Sequence, residues 1–474
     1  MPNPYLPLWE YIPDGEPRVF GSRVYVYGSH DRVGHDQFCD YVLKCWSAPV
    51  DDLGHWTDHG VIFRTRDTFD HPADTDWTKE HNELYAPDVV ERDGKYYLFA
   101  YIIGAKGCVA VSDRPEGPFT LLGRYKYTIP DSVCVNGWFI DPGVLVDDDG
   151  SVYLYSGFYT PTPAIASGFK KLRNDGGVVV KLESDMVTIQ ENPKLLFPKE
   201  GEGSFPNHEF FEASSIRKDG SKYIFAYSSR HNHELCYAVS DYPDRDFTFG
   251  GTLVDQGDLF LNGNEEESKA MNYLGNTHGG MLNIGEEWYI FYHRQTNQHS
   301  YSRQACAEKL EHPAPGVFKQ AEVTSCGLNG DPLSGTGKYE ARIACNLWSK
   351  NGVARYDQKF DKKAHPYFTQ TGKDRMENGD QYIANMRDGA VAGFKYFRFG
   401  DEKRIRLAVS GVCSGIVEVS HTPDFKAVIA RIPVSAKAEQ ENAEGAFAPK
   451  KGTQPLYFRY TGEGAMNFHT FEMR

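Results

Sequence analysis

Hydrophobic and polar residues alternate in short runs along the first two thirds of the chain, and these runs repeat. Alternation with a period of two, entered through Gly or Asp-Gly, is typical of half-buried β-strands that follow tight turns. Five segments show it most clearly: GSRVYVYGSHD (21–31), DGKYYLFAYI (93–102), DGSVYLYSGF (149–158), DGSKYIFAYSS (219–229) and GEEWYIFYHR (285–294). We interpret each of them as the second strand of a β-hairpin.

Further strands are predicted on both sides of these segments. Matching first strands precede three of them (APDVVERDG, DPGVLVDDDG and EASSIRKDG), and third strands follow several, as in CVAVSDRPEGPF and ELCYAVSDYPDRDF. A spacing of about 55–70 residues with roughly four short strands per unit is typical of a β-propeller, whose blades surround a central channel. Five units predict five blades over residues 1–325. The alternative is an antiparallel sandwich, but the recurrence of the pattern favours the propeller.

The last third of the chain lacks this rhythm. Residues 326–338, CGLNGDPLSGTGK, are rich in Gly, Pro and Ser and predict a linker. Residues 339–474 contain separate strand-like stretches: GFKYFRFG, RIRLAVSG, GIVEVS, AVIARIPV, PLYFRYTG and MNFHTFEM. Their even spacing predicts a small β-sandwich. The expected fold class is therefore all-β, a five-bladed propeller followed by a C-terminal sandwich.

Composition supports many short strands and narrows the range of partners. Of 474 residues, 14% are aromatic, with 46 Gly and 26 Pro, which suits strands joined by turns. A formal net charge of −14 argues against nucleic acid or an anionic membrane surface as partner. No apolar run approaches the length needed to cross a bilayer.

The cysteines and the start of the chain bear on the compartment. Nine scattered cysteines without a CxxC pair disfavour a disulfide framework or a zinc site. The opening MPNPYLPLWEYIPDGEP has no basic segment followed by an apolar one, so it does not predict a signal peptide. We expect a cytoplasmic protein, or a secreted one if a leader has been removed.

Acidic residues at the starts of the first strands carry the candidate chemistry. First strands line a propeller channel, so their acids converge although they are distant in sequence. Converging carboxylates suit glycosidic bond cleavage, in which one group donates a proton and another accepts one. Glu212, behind Phe210 and Phe211, has the apolar surroundings expected of the acid. Asp14, in a polar Pro-Asp-Gly turn, is the expected base, and Asp141 is the third charge, which keeps the pKa of the acid high.

A fourth acid leaves this choice open. Asp88 in YAPDVV has a similar position in the second predicted blade. An Asp before Gly or Pro also commonly serves only as a turn or cap residue. Spacing alone therefore does not select three carboxylates from the four.

About the first 320 residues resemble glycoside hydrolase family 43, a family of five-bladed propellers. PDGEPRVFGSRVYVYGSHD is similar to the first-blade segment of the family, usually Ala-Asp-Pro, and this match implies that Asp14 is the general base. Gly15 stands where Pro is usual, and Glu16-Pro17 repeats the pattern two residues later, so Glu16 is the alternative base. No cofactor is implied for the chemistry.

Other motifs extend the resemblance. IDPGVLVDDDGSVYLYSG resembles the segment whose Asp modulates the pKa of the acid, which selects Asp141, and FEASSIRKDGSKYIFAYSS resembles the general-acid segment, which selects Glu212. YAPDVVERDGKYYLFAY is similar to a segment whose Asp is not catalytic, with Tyr85 in place of Trp.

The fifth-blade motif implies one more site residue. In NTHGGMLNIGEEWYIFYHR, His278 matches a histidine on the channel axis, which implies a possible Ca²⁺ ion held there through water; a histidine satisfied within the core is the alternative. Arg303, in SRQACAEKL, is expected to reach the sugar or the acids, unless it is a solvated strand charge.

The tail resembles a family 6 carbohydrate-binding module through YEARIACNLW and PLYFRYTGEGAMNFHTFEM. Where such modules often carry Glu-Ala-Glu, this chain has Glu340-Ala341-Arg342, which disfavours a structural calcium site. Trp348 or Tyr382 would stack on a sugar or pack in the core, and core packing is the commoner fate of such rings. We expect a structural module with weak or no sugar binding.

Together these features imply an inverting, exo-acting hydrolase of terminal α-L-arabinofuranosyl or β-D-xylosyl residues on hemicellulose oligosaccharides. Its partner would be the oligosaccharide, not nucleic acid or a membrane. The side chains expected to line the sugar pocket are Trp9, Tyr85, Trp138 and Phe211. The alternatives are another glycan end, such as galactofuranose or galactan, and a non-catalytic sugar-binding propeller.

Overall fold

The chain is built almost wholly of β-strands. The structure, a computed structural model, describes residues 2–32, 34–75, 82–102, 106–130, 133–137, 139–158, 172–173, 175–355, 363–372 and 380–474. Its described helices are three single 3-10 turns at Glu267–Lys269, Gly327–Asn329 and Ala341–Ile343. Among these residues no helix has the length and apolar character needed to cross a membrane.

Five mainly antiparallel sheets follow one another along residues 16–319. The first contains β1 (Glu16–Phe20), β2 (Arg23–Gly28), β3 (Val42–Pro49) and β4 (Thr57–Arg64). The second contains β5 (Leu84–Arg92), β6 (Lys95–Ile102), β7 (Lys106–Ser112) and β8 (Thr120–Arg124). The third region has β9 (Lys126–Tyr127), β10 (Asn136–Gly137), β11 (Gly143–Val146), β12 (Val152–Ser156), β13 (Leu172–Arg173), β14 (Gly176–Leu182), β15 (Thr188–Ile189) and β16 (Lys194–Pro198). There, β10 and β13 form a separate two-stranded sheet.

The last two of these sheets have the simple four-stranded order. The fourth contains β17 (Phe210–Asp219), β18 (Lys222–Ser229), β19 (Glu234–Ser240) and β20 (Thr248–Asp255). The fifth contains β21 (Met281–Ile284), β22 (Glu287–Gln295), β23 (Arg303–Ala314) and β24 (Val317–Lys319). The five segments predicted as second strands form β2, β6, β12, β18 and β22, each antiparallel to the first strand of its sheet. The five-bladed propeller predicted from their alternation is confirmed.

Hydrophobic clusters between neighbouring blades hold the ring together. The gap between the fifth and first blades contains Val24 and Val26 from β2 with Leu282 and Phe291 from the fifth blade. Tyr5, from the segment ahead of β1, joins this cluster, and its backbone N–H donates to the Ala305 carbonyl at 3.2 Å. The N-terminal segment therefore seals the ring, which brings the starts of the first strands around one channel.

The C-terminal part forms one curled nine-stranded sheet around a single core. Its strands are β25 (Leu333–Ser334), β26 (Gly337–Glu340), β27 (Asn346–Trp348), β28 (Tyr367–Gln370), β29 (Gln381–Met386), β30 (Val391–Phe399), β31 (Arg404–Ser420), β32 (Val428–Ala446) and β33 (Gly452–Met473). Strand β33 pairs with β30 along residues 452–459 and with β31 along residues 457–473, so the sheet folds back over itself. Phe394, Phe458, Phe468 and Phe471 fill the interior.

Two details of this part differ from the sequence pattern. RIRLAVSG and GIVEVS lie in one strand, β31, and PLYFRYTG and MNFHTFEM both lie in β33. Pairing continues in register across the residues that separate these stretches, 412–414 in β31 and 463–465 in β33. The register of β31 with β32 shifts between Val409 and Gly411, where Gly411 has a φ of 91°, and such a bulge bends a strand without ending it. The stretch 326–338, predicted as a linker, contains β25 and buries Cys326 and Leu333 in the C-terminal core. The division into domains stays a prediction.

Polar contacts join the C-terminal sheet to the propeller. The buried Lys395 ammonium lies 2.6 Å from Asp258 Oδ2, and the Asn346 side-chain amide donates to the same oxygen at 2.9 Å.

In the C-terminal part, Trp348 packs against Tyr457, with ring centroids 6.1 Å apart, and the Tyr382 ring lies 4.5 Å from that of His469. The Glu340 carboxylate is paired with Arg342 at 2.5 Å. All nine cysteines are free thiols, and eight of them are buried.

Candidate active site

Three carboxylates from three blades line one cavity of about 400 Å³ in the propeller. Asp14 lies just ahead of β1, Asp141 lies just ahead of β11, and Glu212 is in β17. Because these strands are the first of their blades, the structure brings together the three acids that the sequence analysis selected. Asp88, on β5, is not one of the cavity-lining residues.

The backbone at each acid is unusual, and this directs the side chains into the cavity. Asp14 and Asp141 have left-handed φ values of 58° and 52°, and Ala213, next to Glu212, has 68°. The pairing of β17 with β18 shifts register on both sides of Glu212. Bulges and left-handed non-glycine residues carry a cost in backbone energy and cluster at functional sites, where they re-aim side chains.

Asp14 is held as a carboxylate. Arg303 Nη1 donates to Asp14 Oδ1 at 3.0 Å, while Asp31 accepts from Nε and Nη2 of the same guanidinium at 2.9 and 2.7 Å and from the Arg303 backbone N–H at 3.0 Å. Burial by itself would raise the pKa of Asp14, but Arg303 and His278 lower it below its ordinary value. The Asp14 backbone N–H donates to His293 Nδ1 at 3.3 Å. Burial and the charge of Arg303 lower the pKa of His293 to about 3, so this ring is neutral.

Glu212 has the opposite electrostatic environment. Burial, followed by the negative charge of Asp14, raises the pKa of Glu212 to about 8. The rings of Phe211 and Phe158, with centroids 5.5 Å apart, form part of the same cavity wall. Glu212 is therefore a neutral carboxylic acid at pH 7, whereas Asp14 is ionised. Two carboxyl groups with pKa values pushed apart are the arrangement that general acid–base catalysis needs.

Asp141 lies beside both of these groups. Burial is the main reason that its pKa rises to about 7, and the charges of Glu212 and Asp14 add to the effect. Its Oδ2 accepts a hydrogen bond of 3.1 Å from the backbone N–H of Ala213, directly after Glu212. Asp141 thus fixes the backbone of the strand that carries Glu212 and is electrostatically coupled to that residue.

His278 lies between two of the acids. Its Nδ1 is 3.6 Å from Asp141 Oδ2 and 3.8 Å from Asp14 Oδ1. Ca²⁺ takes six to eight oxygen ligands, whereas His278 offers a nitrogen. In the described part of the chain, groups of three side chains with metal-binding donors lie elsewhere, around His208 and His231. The side chains at His278 therefore do not form a calcium cage by themselves, and an ion beside this ring would also face the carboxylates of Asp14 and Asp141.

The other predicted pocket residues divide into three groups. Tyr85, Phe211 and Arg303 line the cavity. Trp9 does not line it; this ring packs on Trp46, with centroids 5.9 Å apart, in the cluster between the fifth and first blades. Trp138 lies outside the described residues.

Glu16 and Asp88, the rival acids, have other contacts. The Glu16 carboxylate accepts hydrogen bonds from Arg217 at 2.6 Å and from Ser215 at 2.9 Å. Asp88 pairs with Arg18 through both of its oxygens, and it also accepts the backbone N–H of Val144 at 2.7 Å. Both acids link blades to each other outside the cavity.

Sequence reasoning misses part of the cavity wall. The additional lining residues are Phe38, Cys39, Tyr101, Ile140, Phe158, Asn232 and Asn276. Asp31, which fixes Arg303, is also missed, although SHD (29–31) ends a segment that is predicted as a second strand. That position is the only local signal, since strand ends face the loops where binding residues concentrate.

Comparisons with known proteins agree with this geometry. The sequence model of "Glycosyl hydrolases family 43" matches residues 19–318. A "Xylosidase/arabinosidase" of Thermoclostridium stercorarium is 42% identical, with 99% of this chain and 98% of that protein covered. "Xylosidase/arabinosidase 43A" of Humicola insolens is 32% identical over 60% of this chain and 88% of its own length.

A solved structure extends the likeness to the whole fold. A glycoside hydrolase family 43 arabinoxylan arabinofuranohydrolase from Bacillus subtilis, in complex with cellotetraose, aligns with a TM-score of 0.51. The alignment covers 99% of this chain and 97% of that one, at 22% identity, so it speaks for the fold alone. The match to the family model and the 42% identity over the full length show membership of the family as well as the fold. This chain belongs to family 43 of the glycosyl hydrolases.

Proposed function

We propose that the protein is an inverting, exo-acting hydrolase that releases terminal α-L-arabinofuranosyl or β-D-xylosyl residues from hemicellulose oligosaccharides. The observation that carries the proposal is the opposed pKa values of Asp14 and Glu212 in one cavity. Two relatives are named xylosidase/arabinosidase, which supports the choice of sugars. A cavity of about 400 Å³ is at the small end of ligand pockets, about 300–1,000 Å³, which favours a single terminal sugar.

The proposed reaction is a single displacement. Glu212, protonated, donates its proton to the glycosidic oxygen as the bond to the anomeric carbon breaks. Asp14, ionised, accepts a proton from the water that attacks that carbon from the opposite face. Tyr85 and Phe211 offer ring faces to the sugar from the cavity wall, and Arg303 keeps Asp14 charged. Every step uses side chains of this chain, and none is derived through a metal ion.

A panel of nitrophenyl α-L-arabinofuranoside, β-D-xyloside and β-D-galactofuranoside tests this proposal, with the product anomer followed by NMR. We expect hydrolysis of the first two, and α-xylose as the first product from the β-xyloside. First formation of β-xylose would contradict inversion. Activity confined to the galactofuranoside would support the alternative substrate, and binding without hydrolysis across the panel would overturn the enzyme assignment.

The pH dependence of kcat/KM is a second test. The proposed acid must be protonated, so kcat/KM falls as pH rises past about 8, the pKa of Glu212. The proposed base must be ionised, and since the pKa of Asp14 is lowered, the acidic limb lies below pH 3.8 for as long as the fold persists.

Replacement of Asp141 should move only the alkaline limb of the pH profile of kcat/KM. Asp141 is ionised above about pH 7, and its charge then stabilises the protonated form of Glu212. Asp141→Asn removes that charge but keeps an oxygen for the Ala213 N–H, so we expect the limb to shift to lower pH. An unchanged limb in a folded variant would contradict the proposed role of Asp141 as pKa modulator.

A further inference from the structure

Two histidines and a glutamate meet at the turn between β18 and β19. His231 and His233 lie in this turn, and Glu267 begins the 3-10 turn Glu267–Lys269. His233 Nε2 is 3.7 Å and His231 Nδ1 is 3.9 Å from Glu267 Oε1, and one donor atom of each residue lies within 4.8 Å of the others. Imidazole nitrogen with a carboxylate oxygen is a donor set of transition-metal sites.

His233 is oriented as a metal ligand would be. Its ring is 1% exposed, and its Nδ1 lies 2.6 Å from Asp255 Oδ2. Asp255 is itself fixed, because its other oxygen accepts the backbone N–H groups of Gly257 and Leu259 at 2.8 and 3.0 Å. A carboxylate that binds one ring nitrogen directs the lone pair of the other nitrogen outwards, as in carboxylate–histidine–zinc triads.

The second nitrogen of this ring lacks a hydrogen-bond partner. His233 Nε2 is buried, accepts or donates no hydrogen bond within the described structure, and points towards Glu267. A buried polar atom without a partner is uncommon and calls for an explanation such as an ion. Without a metal, a proton is the competitor: burial would lower the pKa of His233, but the charge of Asp255 outweighs it and raises that pKa.

The backbone keeps both histidines in position. Asn232, between them, has a left-handed φ of 69°, its N–H donates to Ser229 O, and its carbonyl accepts the N–H of Thr277, both at 2.8 Å. The carbonyl of His233 accepts the N–H of Gln256 at 3.0 Å. The Asn232 side chain lines the catalytic cavity. Ligands on either side of Asn232 would thus tie an ion to the wall of the active site.

A neighbouring group of donors is less suitable. His208, Glu234 and Cys236 also lie close together. However, His208 Nδ1 is already 2.9 Å from Glu234 Oε1, the same oxygen accepts Ser229 Oγ, and Oε2 accepts Thr252 Oγ1 at 3.2 Å. These donors and acceptors already form hydrogen bonds with one another, so we interpret this cluster as a hydrogen-bond network.

We propose that His231, His233 and Glu267 bind one divalent first-row transition ion, with Zn²⁺ the best match. With bonds of about 2.0–2.2 Å, tetrahedral geometry separates ligand atoms by about 3.4 Å, a few tenths of an ångström less than the present 3.7 and 3.9 Å. The side chains of His231 and Glu267 are 32% and 45% exposed, which gives the ion a path from solvent and a fourth position for water. Arg355 pairs with Oε2 of Glu267 and leaves Oε1 facing the imidazoles.

Zn²⁺ titration of the chelator-treated full chain tests the proposal. Calorimetry gives the stoichiometry, and elemental analysis after gel filtration gives the retained metal. We expect one Zn²⁺ per chain in the wild type, retained in His55→Ala, which removes an exposed histidine of the turn between β3 and β4. We expect this binding to be lost in His231→Ala and His233→Ala and weakened at least tenfold in Glu267→Gln, whereas Ca²⁺ should not compete. Zn²⁺ should raise the Tm of the wild type and of His55→Ala, but not that of His231→Ala or His233→Ala.

Three results would overturn the proposal: a wild-type chain that retains no Zn²⁺, equal retention by His231→Ala, or binding lost only in His208→Ala, which would assign the ion to the neighbouring network. If the buried His233 is needed for folding, the partly exposed His231 decides the question. The test does not depend on the proposed hydrolysis, since every readout measures metal content or stability.

Discussion

Replacing the proposed acid (Glu212→Gln) is expected to lower kcat/KM on an unactivated xylo- or arabino-oligosaccharide by about 10²–10⁴-fold. The amide keeps the size of the side chain but has no proton to give to the leaving oxygen. The alkaline limb near pH 8 in the pH profile of kcat/KM should also be absent from this variant, since that limb reports the ionisation of Glu212. Steady-state kinetics across pH, with folding checked by circular dichroism, measures both effects.

The dependence on the leaving group makes this test specific. A dinitrophenolate leaves without protonation, so Glu212→Gln should cost far less on a dinitrophenyl glycoside than on the oligosaccharide. Glu209→Gln is a matched control, because Glu209 lies just ahead of the same strand and is not a cavity-lining residue. Equal losses on both substrates, or wild-type turnover of the oligosaccharide, would rule out Glu212 as the acid.

The local parts of the fold are predictable from the sequence because their causes are local. The Asp219-Gly220 turn, in which Gly220 has a φ of 61°, joins β17 to β18 in the predicted place. Alternation and turn chemistry act over neighbouring residues, so one sequence shows them. The long strands β31 and β33 are not predictable in this way, since the residues at 412–414 and 463–465 interrupt the hydrophobic pattern although the strands stay paired across them.

The candidate site is predictable only as far as the repeat positions it. Asp14, Asp141 and Glu212 follow from their places at the starts of blades, yet Asp88 has the same kind of place and is held instead by Arg18. Which acid faces the cavity depends on partners far away in sequence.

Long-range packing also explains the misses. Trp9 lies near Asp14 in sequence, but its ring packs on Trp46. The Asp31–Arg303 pair, with Nη2 to Oδ1 at 2.7 Å, forms only once the ring closes. Sequence patterns carry no information about such closure.

Replacing the proposed base (Asp14→Asn) is expected to lower kcat/KM by a similar factor of about 10²–10⁴, but equally for good and poor leaving groups. The reason is that every substrate needs the attacking water to lose a proton, whatever group departs. The substitution also removes a charge that raises the pKa of Glu212, so the alkaline limb of the residual activity should move below pH 8. Arg303 keeps Asp31 as a partner, so the fold should persist.

The comparison with Glu16→Gln decides between the two candidate bases. Glu16 binds Arg217 and Ser215 outside the cavity, so its loss should lower the Tm while the folded fraction keeps its kcat. If Glu16→Gln abolished turnover in folded protein while Asp14→Asn did not, Glu16 would be the base. A loss in Asp14→Asn that grew with the pKa of the leaving group would equally contradict the assignment, because such a slope belongs to the acid. The two acids thus carry separable kinetic signatures: sensitivity to the leaving group for Glu212, and insensitivity to it for Asp14.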